Sequence, residues 1–242
     1  MPAALVTGSS RGIGRAIAVR FADDGYDVAV TYPTSAEAAE AVAEAVRDRG
    51  RDAVVVGADV SDADAAARLV TTTADAFGGV DHVVNNAGID QHVYTKQLDA
   101  DDFDRIMDVN VNSAFNVTKA ALPRLRESDD DPSVTNVSSI LAHTGAPIEC
   151  HYAASKGALL SLTRSHARDF APAVRVNAVA PGHVETDMTA DRTPEEKRDE
   201  LAGIPVDRYG QPEDIADAVA YLRDATFVTG ETLNVNGGED MR

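Results

Sequence analysis

Residues 3–14 read Ala-Ala-Leu-Val-Thr-Gly-Ser-Ser-Arg-Gly-Ile-Gly, and this stretch decides the fold. Its first four residues are apolar and predict a buried β-strand, and residues 12–25 predict a helix that begins directly after the glycines. Glycines at a strand-to-helix turn let the backbone approach a phosphate group closely, and the first turn of the helix offers free N–H groups to it. The spacing is G-x-x-x-G-x-G. The stretch therefore predicts the first strand and helix of a nucleotide-binding α/β fold.

The same alternation of short β-branched runs with Ala-rich amphipathic stretches continues along the chain. It predicts an α/β protein, with a single-domain Rossmann fold over residues 1–242 and a doubly wound parallel sheet of about seven strands. We expect Ser35 to cap its helix and the long helix at 101–126 to break near Pro123. The polar stretch 188–203 is predicted to form a lid. Further strands are expected at 27–31, 53–56, 82–85, 134–137, 174–179 and 232–235, and further helices at 35–49, 62–77, 101–126, 152–170 and 212–222.

The charge balance restricts the partners of the protein. Asp and Glu number 40 against 22 Lys and Arg, which leaves a formal net charge of -18. A surface of this sign repels nucleic acid and anionic membranes, so neither is expected as a partner. The Asp-rich, Lys-poor composition resembles that of proteins from salt-accumulating halophiles, because molar salt screens the self-repulsion that such a charge produces.

The N-terminus and the cysteine content predict the compartment. Residues 1–5 enter a strand-like run without the basic flank and apolar core of a signal peptide, and no apolar run is long enough to span a membrane. The single cysteine, Cys150, cannot form an internal disulfide. We therefore expect a soluble cytoplasmic protein.

A second pattern lies in the middle of the chain. Tyr152 and Lys156 are four residues apart on a predicted helix, so they share one face, and Ser139 follows a predicted strand. A free tyrosine has a pKa of about 10, and a nearby ammonium group favours its phenolate form. This combination predicts a general acid/base with no requirement for a metal, since the tyrosine proton can polarise a substrate oxygen.

Together these motifs resemble the short-chain dehydrogenase/reductase family over essentially the whole chain. The resemblance implies that Tyr152 is the general acid/base, that Lys156 binds the nicotinamide ribose and lowers the tyrosine pKa, that Ser139 holds the substrate oxygen, and that Asn110 positions a water molecule in a proton relay. It also implies a cofactor site formed by Gly8, Ser10, Arg11, Gly12, Ile13, Gly14, Thr34, Ser35, Asp59, Val60, Asn86, Ala87, Gly88, Tyr152, Lys156, Pro181, Gly182, Val184 and Thr186.

The end of the second predicted strand favours NADP(H) over NAD(H). An NAD-dependent enzyme places a carboxylate there, about 20 residues past the glycine loop, to bind the ribose 2′-hydroxyl. This chain has Thr34 and Ser35 at the position and no carboxylate before Glu37. Arg11 can reach the same ribose and offers a charge-assisted contact to a 2′-phosphate. NAD(H) remains possible if Glu37 binds the 2′-hydroxyl.

The sequence is consistent with more than one class of substrate. Residues 208–216 and 227–238 resemble the 3-oxoacyl thioester reductase branch, which acts on acyl-carrier-protein or coenzyme A thioesters. Asp90-Gln91-His92 depart from the Thr-Arg-Asp of that branch, and the 222–227 connection is shorter. The alternative is a sugar or polyol dehydrogenase, whose polar substrate would suit Gln91, His92, Glu149 and His151. A third possibility, a non-catalytic NADP-sensing regulator, has no need of an acid/base set.

A homotetramer or homodimer is also expected. The helices at 101–126 and 152–170 carry more apolar side chains than one sheet face can cover. The resemblance implies a symmetric contact that these two helices make between subunits. The side chains expected to be exposed are Phe115, Ala121, Leu122, Leu159, Leu162 and Phe170.

Overall fold

A seven-stranded parallel sheet forms the centre of the protein within residues 1–189 and 192–242, which the computed structural model describes. Every strand pairs in parallel with its neighbours, in the order β3-β2-β1-β4-β5-β6-β7. The predicted single-domain, doubly wound α/β fold is confirmed. The strands are β1 (Ala3–Val6), β2 (Asp27–Tyr32), β3 (Ala53–Gly57), β4 (His82–Asn85), β5 (Ser133–Val137), β6 (Arg175–Pro181) and β7 (Thr232–Val235).

Successive residues of each central strand enter two different cores. In β1, Ala4 and Val6 pack with Ile17 in one core, and Leu5 packs with Leu69 in the other. All of these side chains are fully buried. Because the sheet is covered on both faces, its central strands must be apolar on both sides, which explains the continuous apolar runs of the sequence.

Helices cover both faces of the sheet. Residues of α1, α2 and α9 contribute to the first core, and residues of α3, α5 and α7 contribute to the second. The helices of the described residues are α1 (Gly12–Asp23), α2 (Ala36–Arg47), α3 (Ala63–Phe77), α4 (Ala100–Met107), α5 (Ser113–Glu127), α6 (Leu141–Thr144), α7 (Cys150–Phe170), α8 (Pro194–Ala202) and α9 (Pro212–Asp224). None of them is both long and apolar enough to cross a membrane.

The strand order reverses between β1 and β4, and this topology positions the site. The chain leaves β1 toward β2 on one side, and β4 is added on the other side. The loops that follow β1 and β4 therefore diverge at the carboxyl edge of the sheet, and a crevice forms between them. In folds of this type the crevice is where a ligand binds.

The predicted break near Pro123 is wrong. Helix α5 continues through Pro123, which lies on its exposed side, as does Lys119 one turn earlier. Water can therefore solvate the Lys119 carbonyl that loses its N–H partner to proline. The discontinuity lies instead at Asp108–Asn112, a π-helical turn between α4 and α5. Such turns insert an extra residue and often occur at functional sites.

The predicted exposure is also wrong for three of the six side chains that were expected at the surface. Ala121, Leu159 and Phe170 are buried against the sheet or neighbouring helices, and Leu122 and Leu162 are partly buried. Phe115 is 42% exposed, as expected. The error arose because helical periodicity alone does not say which apolar stripe faces the sheet. Of the predicted lid at 188–203, α8 is helical, whereas residues 190 and 191 lie outside the described part of the chain.

Candidate active site

The loop after β1 forms a tight cradle at the carboxyl edge. A Cβ atom added to Gly14 would lie 2.4 Å from the Gly8 carbonyl oxygen and 2.5 Å from Asn86 Nδ2. Gly8 and Gly12 have φ angles of 61° and 54°, which L side chains rarely adopt. The three predicted glycines are therefore required by the backbone itself. Ile13 packs its side chain against the first core.

Polar side chains lock this cradle to β4 and β2. The Thr7 hydroxyl accepts hydrogen bonds from the backbone N–H groups of Asn86 and Ala87, at 2.9 and 3.0 Å. Asn86 Nδ2 donates to the carbonyl groups of Thr7 and Gly8. Ser9, which was not predicted as functional, is fully buried and accepts from the Thr31 N–H at 2.8 Å. Of the two adjacent serines, Ser9 and Ser10, only Ser10 remains partly accessible to solvent.

The cradle fits a dinucleotide. The glycine loop leads directly into α1, whose first N–H groups have no partners within the helix. A side chain at Gly14 would collide with the Gly8 carbonyl and with Asn86, so glycine lets the loop turn tightly enough to present these N–H groups to a pyrophosphate. The backbone N–H groups at the start of α1 can bind a pyrophosphate without a lysine side chain.

Thr34 and Ser35 directly follow β2, and Arg11 lies in the glycine loop after β1. Thr34 and Ser35 are exposed, and the Ser35 hydroxyl accepts a hydrogen bond from the Ala38 N–H, so its predicted role as the cap of α2 is confirmed. Arg11 is exposed and pairs with Asp187 at 3.3 Å. This ion pair connects the glycine loop with the segment after β6, which bounds the other side of the cleft.

Asp59 and Val60 follow β3 at the same edge. Val60 is buried, and its carbonyl accepts from Asn116 Nδ2 on α5. Asp59 is exposed, and its Oδ1 accepts from both the N–H and the hydroxyl of Ser61. One carboxylate oxygen of Asp59 is thus used to shape its own turn, and the other remains available.

Ser139, Tyr152 and Lys156 meet where β5 and α7 approach each other. Lys156 Nζ donates to the Val137 carbonyl at 2.9 Å and lies 5.4 Å from the centre of the Tyr152 ring. The Ser139 side chain lies close enough to Tyr152 to lower the pKa of the phenol, and its hydroxyl accepts from the Leu141 N–H at 3.2 Å. The Ser138 hydroxyl, also unpredicted, donates to the Lys156 carbonyl at 2.8 Å and ties the helix to the strand end.

The electrostatic surroundings shift the pKa values of both groups. Burial raises the pKa of Tyr152 above its ordinary value, the carboxylates of Asp90 and Glu149 raise it further, and the nearby Ser139 side chain lowers it. Burial lowers the pKa of Lys156 to about 8, and the Asp90 carboxylate acts in the opposite direction. Groups with shifted pKa values in a cleft are typical of acid/base sites.

Asn110 lies in the π-helical turn between α4 and α5. Its Oδ1 accepts from the Ile89 N–H at 2.8 Å, and its Nδ2 donates to the Ile89 carbonyl and to Ser155. A Cβ atom on Gly88 would lie 3.2 Å from Asn110 Oδ1 and 3.4 Å from Lys156 Nζ. Gly88 thus lets the asparagine and the lysine approach the same point.

The segment after β6 closes the site from the other side. Pro181 is buried and its carbonyl accepts from the Ile140 N–H, while Gly182 donates its N–H to the Val235 carbonyl. Val184 is buried, and the Thr186 N–H donates to the Thr189 hydroxyl. These contacts place the 181–186 segment at the carboxyl edge of the sheet, where Pro181 contacts Ile140 and Thr186 lies next to Gly12 of the glycine loop.

An acidic cluster with one imidazole was only partly anticipated. His92 Nε2 lies 3.1 Å from Asp90 Oδ2 and 2.9 Å from Glu149 Oε1. Burial and Asp90 raise the pKa of Glu149. Arg192 contacts the His92 ring and pairs with Glu200 on α8. The separate residue types were visible in the sequence, but their convergence was not.

His183 belongs to a second polar network that sequence patterns did not reveal. Its Nδ1 lies 3.0 Å from Glu239 near the C-terminus, and this hydrogen bond raises the pKa of His183. The ring stacks on Tyr209, whose hydroxyl donates to Glu200. Helix α8 is therefore connected to the segment after β6 by side chains.

Comparison with known proteins gives consistent matches over the whole chain. A family model described as enoyl-(acyl carrier protein) reductase matches residues 8–239. A 3-oxoacyl-(acyl-carrier-protein) reductase from Staphylococcus aureus is 40% identical over 241 residues, covering 98% of each chain. Glucose 1-dehydrogenase 2 from Bacillus subtilis is 38% identical over 240 residues, covering 97% of this chain and 93% of the relative.

Solved structures match equally well. A short-chain dehydrogenase from Burkholderia cenocepacia, in complex with NADP, superimposes with a TM-score of 0.93. It is 37% identical, and the match covers 99% of this chain and 98% of that one. The shared architecture thus extends from the first strand to the C-terminal segment.

Proposed function

We propose that this chain, which belongs to the short-chain dehydrogenase/reductase family, reduces the keto group of a 3-oxoacyl thioester with NADPH. It is an oxidoreductase of that family, and such enzymes use a nicotinamide cofactor. The observation that carries the proposal is the junction of Ser139, Tyr152 and Lys156 beside the glycine cradle. The S. aureus relative, named as a 3-oxoacyl-(acyl-carrier-protein) reductase, supports the substrate class.

In this mechanism the Ser139 and Tyr152 hydroxyls hold the substrate oxygen. As the carbonyl becomes an alcohol, Tyr152 gives its phenolic proton to that oxygen. The Lys156 ammonium group, fixed by the Val137 carbonyl, stabilises the phenolate that remains. Asn110 holds the Ile89 backbone beside Lys156. Together Asn110 and Lys156 are suited to returning a proton from solvent to the Tyr152 phenolate.

The proposed cofactor residues surround the cradle. Those beside the pyrophosphate are the glycine-loop residues, those beside the adenosine ribose include Thr34, Ser35 and Arg11, and those beside the nicotinamide include Lys156 and Val184. When bound, the reduced nicotinamide supplies the hydride that the carbonyl carbon accepts. The NADP complex of the B. cenocepacia relative and the missing carboxylate after β2 support NADP(H).

A sugar or polyol dehydrogenase is the second candidate. Asp90, His92 and Glu149 form a polar cluster close to Tyr152, where an apolar acyl chain would gain little. Hydroxyl groups of a polyol can instead donate to these carboxylates. The name of the B. subtilis relative, a glucose dehydrogenase, supports the same alternative.

A cofactor-coupled assay separates the two candidates. Oxidation of NADPH is followed with acetoacetyl thioesters of coenzyme A and of acyl carrier protein, and reduction of NADP⁺ is followed with a panel of sugars and polyols. We expect the highest kcat/KM with a 3-oxoacyl thioester. A higher kcat/KM with a sugar would replace the proposal by the alternative, and turnover with neither class would refute both.

We also propose the compartment, the oligomeric state and a lid for this enzyme. The net charge of -18 supports a high-salt cytoplasm, and exposed Phe115 supports a homotetramer or homodimer.

We propose that residues 188–203 act as a lid. The contacts of Arg192 with His92 and with Glu200 support this role, because they connect α8 with the loop after β4.

A further inference from the structure

Three side chains of the types that ligate metals converge where the loop after β4 meets the start of α7. Asp90 and His92 come from the loop after β4, and Glu149 precedes the first residue of α7. One ligand atom from each lies within 4.8 Å of the other two. The two segments are also joined by a backbone hydrogen bond from the Val93 N–H to the Ile148 carbonyl at 2.7 Å, so the cluster has a fixed frame.

The same nitrogen of His92 faces both carboxylates. His92 Nε2 lies 3.1 Å from Asp90 Oδ2 and 2.9 Å from Glu149 Oε1. An imidazole nitrogen carries at most one hydrogen, which can point well at only one acceptor. Adjacent ligands of an octahedral ion with bonds of about 2.1 Å lie about 3 Å apart, so the observed distances also suit a shared cation.

Burial makes this arrangement costly without a cation. The Asp90 and Glu149 side chains are 12% and 10% exposed. Within the described ranges, neither carboxylate pairs with a lysine or arginine; Arg192 pairs with Glu200 and contacts only the His92 ring of the cluster. Two carboxylates held this close together with little water are stabilised by a shared cation, since buried charges in proteins are either paired or coordinate metals.

We propose that Asp90, His92 and Glu149 form a three-ligand site for a divalent first-row transition cation, such as Mn²⁺ or Zn²⁺. One imidazole with two carboxylates is a donor set that suits these ions. Water fills the remaining coordination positions. The cation holds the loop after β4 against the start of α7, and it offsets the negative charge of both carboxylates, of which Glu149 lies three residues before Tyr152. The site does not depend on the substrate proposed above.

Mn²⁺ binding to the full chain tests the site directly. Chelator-treated protein without cofactor or substrate is titrated with MnCl₂ in molar KCl, which screens weak binding to the acidic surface. Free Mn²⁺ is followed by electron paramagnetic resonance. We expect one saturable site per chain, displaced by Zn²⁺. Absence of saturable binding would overturn the proposal.

Variants assign the site. Glu149→Gln and His92→Ala should each weaken Mn²⁺ binding by about tenfold or more, since loss of a side chain that only orients a metal ligand already costs that much. The matched control is Asp104→Asn, which removes an exposed carboxylate from α4 and should leave binding unchanged. Equal binding in all of these proteins would place the ion elsewhere and refute the assignment.

A measurement on the unmodified protein covers the case in which a variant does not fold. Bound Mn²⁺ should broaden the NMR signal of the His92 ring selectively. His82 is the internal reference, since it begins β4 and lies at the opposite edge of the sheet. Equal broadening of both histidines would contradict the proposed position.

Discussion

The ammonium nitrogen of Lys156 lies 5.4 Å from the centre of the Tyr152 ring, one helical turn along α7. Its hydrogen bond to the Val137 carbonyl fixes that position from the adjoining strand. The pair is therefore set by two elements, a helix for the spacing and a strand end for the orientation. A phenolate formed at Tyr152 would lie close to the Lys156 ammonium group, which the Val137 carbonyl holds in place and whose pKa burial lowers to about 8.

Tyr152→Phe should nearly abolish turnover and leave cofactor binding largely intact. The change removes one proton donor and keeps the ring, so we expect a loss of about 10²–10⁴-fold in kcat. Lys156→Ala should reduce both turnover and cofactor affinity. Tyr221→Phe, at an exposed position on α9, is the matched control. More than about a tenth of the original rate in Tyr152→Phe would rule out the acid/base role.

Asp90→Asn should move the pH profile of carbonyl reduction to lower pH. The Asp90 carboxylate raises the pKa of Tyr152, so its removal lowers that pKa, and the protonated acid is lost earlier as the pH rises. The profile of kcat/KM is measured with chelator present, so that bound metal does not contribute. Asp104→Asn should leave the profile in place. An upward shift in Asp90→Asn would contradict the electrostatic argument.

Arg11→Ala should reduce the preference for NADPH over NADH. A charge-assisted contact to the 2′-phosphate is lost, whereas NADH makes no such contact. Because Arg11 is exposed and pairs with Asp187, the effect should be modest and should decrease with added salt. The test compares kcat/KM for both cofactors, with Arg15→Ala on the exposed side of α1 as the control. An unchanged ratio, or a native preference for NADH, would show that the pocket has been misinterpreted.

The thermal midpoint should rise between dilute buffer and molar KCl. A net charge of -18 opposes folding at low ionic strength, and at about 1 M salt the Debye length falls to about 3 Å. Circular dichroism at matched pH measures the two midpoints. A midpoint that stays constant or falls would remove the support for a halophilic protein.

Light scattering should find a particle of two or four chains of 25.5 kDa at working salt. Phe115, 42% exposed on α5, is expected to lie in the contact, so Phe115→Asp should lower the mass. The same measurement in dilute buffer tests whether self-repulsion weakens assembly. A monomeric mass at working salt would refute the prediction.

The sequence by itself determined the strands, most helices and the glycine cradle. These features depend on local patterns: apolar runs that must be buried on both sides, helical periodicity, and glycines at positions where φ is positive. Tyr152 and Lys156 were predicted to share a helix face for the same reason, since four residues make about one turn.

Only the tertiary structure decided which distant residues meet and which faces are covered. The π-helical turn at Asp108–Asn112 brings Asn110 to Ile89, and no local pattern distinguishes it from an ordinary helix. The burial of Leu159 and Phe170 depends on which stripe of α7 faces the sheet. His92 meets Glu149 because parallel strands deliver their loops to one edge of the sheet. Such contacts join residues far apart in the chain, and their geometry follows from packing, which local propensity does not encode.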